Sequence, residues 1–289
     1  MKKIVVFGGS GFVGSHVADH LSDAGYEVII YDEVISPFLR NDQKMIVGDL
    51  LDLESVINVI KGAEAVFNFA ALADLNEALN DPLSSIKINV LGNAHILEGC
   101  KIHKVSRFIY ASSIYANSRE GGFYGCSKKS AEAFIEEYYK MYGLNFTILR
   151  YGSLYGPRAT SGNGLQKIVK KALQDKVLSY EGNEESTREY IHVKDASIAS
   201  VKALEEKFKN KKIILTGQQP IKVIDLLRML SEIIGLPRSA IKFSNADYEG
   251  HYVLTPYHYE PQLAEKYIPD THVDLGEGLL EIIENIKDN

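Results

Sequence analysis

Tyr124 and Lys128 stand four residues apart in the segment Tyr124-Gly125-Cys126-Ser127-Lys128, a spacing that puts both side chains on one face of a helix. A free tyrosine ionises near pH 10, so only about 0.1% of it is phenolate at neutral pH. An ammonium beside it, together with a cation bound nearby, favours the phenolate. Lowering the value by about 3 units takes roughly 4 kcal/mol of differential stabilisation, within reach of a partly desolvated pocket. Such a phenolate removes a proton from an alcohol. The alcohol needs a second group to hold it, and the apolar run Arg107-Phe108-Ile109-Tyr110-Ala111 ends on Ser112 and Ser113 shortly before the tyrosine.

Losing a proton becomes oxidation of the alcohol only if a hydride leaves the same carbon, so an acceptor is required. The start of the chain provides for one. Lys3-Ile4-Val5-Val6-Phe7 runs into Gly8-Gly9-Ser10-Gly11-Phe12-Val13-Gly14, and a second apolar run, Val28-Ile29-Ile30-Tyr31, ends on Asp32. Strand, glycine turn, helix and acid-tipped strand form a dinucleotide pocket. Gly8, Gly11 and Gly14 allow a tight turn and let the backbone N–H groups around Phe12 and Val13 meet a pyrophosphate. Asp32 accepts the adenosine ribose hydroxyls and repels a 2′-phosphate, so the expected cofactor is NAD. In this frame Ser113, with Ser112 beside it as the alternative, holds the alcohol, Tyr124 takes its proton, and Lys128 also binds the nicotinamide ribose.

The elements that position these groups alternate through the first half of the chain. Helices are expected over Val13–Ala24, Leu53–Ile60, Asp81–His103 and Ser127–Tyr142. Strands are expected at Met45–Val47, Ala65–Phe69, Arg107–Ala111 and Asn145–Arg150. This alternation predicts an α/β fold: a Rossmann-type, doubly wound parallel sheet covered on both faces. Past Gly156-Pro157-Arg158 the pattern loosens into polar loops and separated helices at Leu226–Ile234 and Gly278–Ile286. The expected division is an NAD-binding domain over residues 1–155, to which 188–208 returns, and a smaller substrate lobe made of 156–187 and 209–289.

Bulk properties exclude several classes. A net charge of −6 over 289 residues leaves no basic field for nucleic acid. The longest apolar runs fall short of a membrane span or a signal-peptide core. Two cysteines, Cys100 and Cys126, supply neither a disulfide framework nor metal spacing. No metal is expected, and the compartment read from this composition is the cytoplasm.

Gly8-x-x-Gly11-x-x-Gly14 with Tyr124-x-x-x-Lys128 resembles the extended short-chain dehydrogenases, the nucleotide-sugar epimerase/dehydratase family, and the resemblance runs over nearly the whole chain. It implies that Asp49 and Leu50 contact adenine, and that Phe69, Ala70 and Ala71 run under the cofactor. Asn89, in the helix that follows Asp81-Pro82, closes the central site. Tyr151 approaches the nicotinamide, Ser153 meets substrate, and Arg188 of Arg188-Glu189-Tyr190-Ile191-His192 holds the diphosphate of a sugar nucleotide, a bidentate task suited to a guanidinium. His192 reads as structural. The implied chemistry is oxidation of the sugar at C4 to a ketone. Rotation and return of the hydride give an epimer, and release of the ketone gives net oxidation; a non-catalytic NAD-binding regulator is a third reading. The resemblance also implies a homodimer joined through the helices near 81–103 and 127–142.

The departures from the family are local. Ser113 to Tyr124 is about half the usual length. Family dehydratases carry an Asp-Glu pair immediately after the catalytic hydroxyl; Ile114 and Tyr115 stand there, which disfavours dehydration. Cys126 falls on another helix face from the tyrosine and lysine. Thr255–Pro261 lacks the second phosphate-binding arginine of many relatives and offers a Tyr/His cluster instead.

Overall fold

The computed structural model describes residues 1–118, 120–244 and 265–288; the Tyr/His cluster of 255–261 lies outside them. Six strands come first: β1 (Lys3–Phe7), β2 (Glu27–Asp32), β3 (Lys44–Val47), β4 (Ala65–Asn68), β5 (Arg107–Ser113) and β6 (Phe146–Tyr151). With Lys211–Leu215 and Glu265–Lys266 they form one eight-stranded sheet, ordered Glu265–Lys266, Lys211–Leu215, β6, β5, β4, β1, β2, β3, and every pairing is parallel. The order reverses at β1, so the loops after β1 and β4 part there and open a crevice at the carboxyl edge.

Alternate residues of the strands feed two apolar layers, because successive side chains point to opposite faces. Val5, Phe7, Val66, Phe108, Tyr110 and Ile148 pack against the helices Leu53–Ile60, Asn93–Ile102 and Gly122–Tyr142. Ile4, Val6, Phe67, Ile109 and Leu149 pack against Phe12–Asp23 and Val193–Lys202. A third cluster, built on Leu165, Val169, Leu226, Leu230, Leu279 and Ile283, forms the smaller lobe.

Three boundaries differ from expectation. The long helix over Asp81–His103 is interrupted: Pro82–Ser85 is α-helical, Ile86–Gly92 winds as a π-helix, and Asn93–Ile102 is α-helical again. The wider turn ends at Gly92, where a Cβ would lie 2.5 Å from the Leu50 side chain. The helix expected from Ser127 begins at Gly122, so Tyr124 sits inside its first turn. Lys211–Leu215, assigned by sequence to the substrate lobe, pairs with β6 in the main sheet. Its half-polar sequence, Lys211-Lys212-Ile213-Ile214-Leu215, hides a strand that is buried only over its last three residues.

Candidate active site

The dinucleotide end is shaped by close backbone approaches. Gly8 has φ +73°, and a Cβ there would stand 2.4 Å from the Ala70 nitrogen and 2.6 Å from the Phe69 carbonyl carbon. A Cβ on Gly14 would stand 2.2 Å from the Gly8 oxygen. The first helix therefore meets the β1 turn with no room for a side chain. Gly11 caps that helix without a side-chain bond over the cap, and the first turn holds no acid. Its N–H groups and dipole are left for an anion.

Asp32, at the tip of β2, is oriented by two backbone donors, Ser10 N–H at 2.9 Å and Val34 N–H at 3.3 Å. Beside it Gly48 N–H donates to the Asp32 carbonyl (2.9 Å), and Tyr31 Oη donates to the Asp49 carbonyl (2.9 Å). Tyr31 also presses on Gly48, where a Cβ would lie 2.4 Å from its oxygen. Asp49 and Leu50 are thus clamped next to Asp32. Phe69, Ala70 and Ala71 leave β4 on the other side of the glycine turn, with Ala70 N–H bonded to Asn68 Oδ1 at 3.0 Å. An open helix N-terminus, an acid aimed from the second strand tip and glycines without room for a Cβ fit a dinucleotide with free ribose hydroxyls.

The candidate proton-transfer groups lie at the end of β5. Successive residues of that strand face opposite ways, which separates the two serines. Ser112 Oγ points into the layer beneath and donates to Glu132 Oε1 at 2.5 Å. Ser113 is the serine whose side chain favours ionisation of the Tyr124 phenol; its Oγ accepts Tyr115 N–H at 3.3 Å. Burial pushes the Tyr124 hydroxyl up to about 12, with Ser113 acting in the opposite direction. Lys128 is 3% exposed, and its Nζ donates to the Ala111 carbonyl at 2.7 Å. Burial brings its ammonium down to about 7, with Glu132 acting in the opposite direction. The Nζ stands 5.7 Å from the centre of the Tyr124 ring.

Asn89 braces this group from behind. Its Oδ1 accepts Leu72 N–H (2.8 Å), and its Nδ2 donates to the Leu72 carbonyl (3.0 Å) and to Ser127 Oγ (2.9 Å). Both amide hydrogens are engaged within the chain. Ser127 Oγ in turn donates to the Tyr124 carbonyl at 2.8 Å, so Asn89 fixes the first turn of the helix that bears the tyrosine.

On the substrate side, Tyr151 pairs in register with Ser113 across β5 and β6. Its hydroxyl turns inward to Ser200 Oγ (2.6 Å), and its ring lies 6.3 Å from that of Phe69. What it can offer a cofactor is the ring, not the hydroxyl. Ser153 opens the strand Ser153–Tyr155, which pairs with Tyr190–His192. Arg188 is 7% exposed, with Nη1 donating to the Thr187 carbonyl (3.0 Å) and Nη2 to Tyr180 Oη (3.1 Å). His192 caps its helix, accepting Lys194 N–H at Nδ1 (3.3 Å), and places Nε2 2.9 Å from Glu281; burial lowers its pKa despite that carboxylate. Cys126 is exposed.

Two neighbours of these groups were given no part in the site by the sequence. Tyr115 packs edge-on against Tyr124, ring centroids 6.4 Å apart. Tyr180 steadies Arg188 from a strand, Leu178–Glu181, that carries no motif. Tyr115 follows Ser113 by two residues and was visible as a candidate; nothing in spacing alone ties Tyr180 to Arg188.

A profile of the NAD dependent epimerase/dehydratase family matches residues 4–217. A UDP-N-acetyl-alpha-D-glucosaminuronate decarboxylase of Bacillus cytotoxicus is 28% identical over 87% of this chain and 85% of its own. Among solved structures, a UDP-glucose 4-epimerase of Thermotoga maritima with UDP-glucose superposes with TM-score 0.86 at 26% identity, over 99% of both chains. A UDP-glucuronic acid 4-epimerase of Bacillus cereus with UDP-glucuronic acid and NAD superposes with TM-score 0.85 at 25% identity, again over 99% of both.

Proposed function

Because this chain belongs to the NAD dependent epimerase/dehydratase family, we propose that it is an NAD-dependent enzyme that epimerises a UDP-sugar at C4 through a 4-keto intermediate. The observation that carries this reading is the meeting of Ser113, Tyr124 and Lys128 at the end of β5, two strands from the glycine turn that follows β1. The nucleotide comes from the UDP-sugars named for the relatives.

Bound NAD supplies the hydride acceptor at C4. The chain's own residues do the rest. Asp32 and the helix N-terminus at Gly11–Gly14 hold the dinucleotide, with Asp49, Leu50, Phe69, Ala70 and Ala71 along it, Tyr151 offering its ring and Asn89 bracing the loop at Leu72. Ser113 steadies the sugar hydroxyl, and Tyr124 accepts its proton. Lys128 stabilises the phenolate and binds the nicotinamide ribose. Arg188, already set in place by Tyr180, takes the diphosphate with its guanidinium, and Ser153 meets the sugar. Ile114 and Tyr115 supply no carboxyl group to take a proton from C5, so nothing there diverts the ketone toward loss of water. The ketone turns over in the site and is reduced from its other face, and Tyr124 returns the proton.

Incubation with a panel of UDP-sugars, followed by mass spectrometry and NMR of the products, tests this. A C4 stereoisomer of unchanged mass supports the reading, and a keto product lighter by two hydrogens establishes net oxidation instead. Tight NAD binding with no turnover of any UDP-sugar favours the regulator.

We infer further that the enzyme is a homodimer of the reducing cytoplasm. Leu83, Ile86, Leu91, Phe134 and Met141 expose apolar side chains on the segments 82–102 and 122–142, a pattern that suits a seam with a second copy. Tyr138 instead bonds Glu98 within the chain. Among the described residues no helix is long and apolar enough to cross a membrane, and both cysteines are unpaired.

A further inference from the structure

One helical turn beyond Lys128, the same helix carries a carboxylate that is 3% exposed. Glu132 Oε1 accepts Arg150 Nε at 2.9 Å and Ser112 Oγ at 2.5 Å, and Oε2 accepts Arg150 Nη2 at 2.6 Å. Lys212 Nζ lies 3.5 Å from the same Oε2 and 2.9 Å from Glu136 at the surface. Ser112 and Arg150 are register partners across β5 and β6, and the next pair along is Ser113 with Tyr151. A single carboxylate therefore ties three elements together immediately beneath the proton-transfer groups.

We propose that Glu132, balanced by Arg150, is a positioning residue of the active site: it locks the helix bearing Tyr124 and Lys128 to the strand ends bearing Ser113 and Tyr151, with its carboxylate one helical turn from Lys128. This rests on the reading of Ser113, Tyr124 and Lys128 given above. Burying an ion pair is a weak route to stability, since desolvation of both charges offsets most of their attraction. A fully satisfied pair placed here is better explained by position.

The groups that face Lys128 are few. On its own helix they are Tyr124 and Glu132, and on β5 they are the Ala111 carbonyl and the Tyr110 ring at 4.9 Å. Arg150 from β6 and Lys212 from the neighbouring strand bind the Glu132 carboxylate. Glu132 favours the protonated amine, opposing burial. Removing its charge lowers the ionisation midpoint of Lys128, and removing the charge of Arg150 or Lys212 raises it.

The test is a pH titration of the Lys128 side chain by NMR in the intact, NAD-loaded protein labelled with carbon-13 at lysine Cε, assigned by loss of the signal in Lys128→Met. The Lys128 midpoint should fall in Glu132→Gln, rise in Arg150→Gln, and return toward the parent value in the double variant. Opposite shifts are what a purely structural clamp does not produce, because both single variants break the same contacts. Equal or absent shifts in folded variants overturn the proposal. If either buried variant fails to fold, Lys212→Gln, at the partly exposed end of the network, decides: its midpoint must rise. The titration needs no sugar substrate. Unmoved midpoints in a protein that still epimerises sugars count against this inference alone, and moved midpoints without turnover count against the proposed function alone.

Discussion

The ammonium of Lys128 is held on the carbonyl oxygen of Ala111, at 2.7 Å, two residues before Ser113. The lysine thus belongs to the strand end that presents Ser113, with its Nζ 5.7 Å from the centre of the Tyr124 ring.

This arrangement fixes the pH dependence. With Tyr124 pushed up to about 12 and Lys128 brought down to about 7, the first of the two protons to leave comes off near 7. With that proton gone, the charge rearranges within the pair to phenolate and ammonium when a cationic ring is bound. The kcat/KM for the sugar is expected to rise with pH through about 7. In Lys128→Met the rise moves up toward the Tyr124 value, by more than ~2 units, and activity at neutral pH falls at least ~100-fold. A pH–rate profile of the two proteins measures both.

Asp32 accepts two backbone N–H groups and keeps acceptor capacity for the ribose. Replacing it with Ala is expected to weaken NAD binding about 30-fold, roughly 2 kcal/mol, and to narrow the preference over NADP. Calorimetric titration with both nucleotides reads the two effects together.

Arg188 and Tyr180 should separate binding from chemistry. Arg188→Lys keeps the charge and loses the planar fork, so KM for the UDP-sugar is expected to rise on the order of tenfold with kcat little changed. Tyr180→Phe, which removes one acceptor from the guanidinium, should give a smaller rise of the same kind. A fall in kcat at constant KM would place Arg188 outside the diphosphate site.

Phe134 is 48% exposed, on the helix that also bears Tyr124. Phe134→Glu is expected to turn a dimer into a monomer in sedimentation velocity without abolishing NAD binding. A monomeric parent protein would contradict the homodimer.

How much of this was legible beforehand follows from how local each feature is. The glycine turn, Asp32 and the Tyr124–Lys128 spacing act within one supersecondary unit, so their geometry was written in their order. The choice between Ser112 and Ser113 was not, because strand facing depends on which layer Glu132 and Arg150 occupy. Tyr151 was expected to approach the nicotinamide; that its hydroxyl meets Ser200, 49 residues on, was not readable from spacing. Lys211–Leu215 was missed as a sheet strand because its first two residues are lysines at the end that stays in solvent. The π-turn before Gly92 answers to Leu50, which arrives from a different loop. Each of these depends on contacts across the fold.

The most direct measurement is turnover of UDP-glucose carrying deuterium at C4. Epimerisation through a ketone held in one site returns the same hydrogen, so the account predicts a product inverted at C4 with its deuterium retained there, and loss of this product in Tyr124→Phe. A C4 product stripped of deuterium, or a keto sugar released in its place, would contradict it.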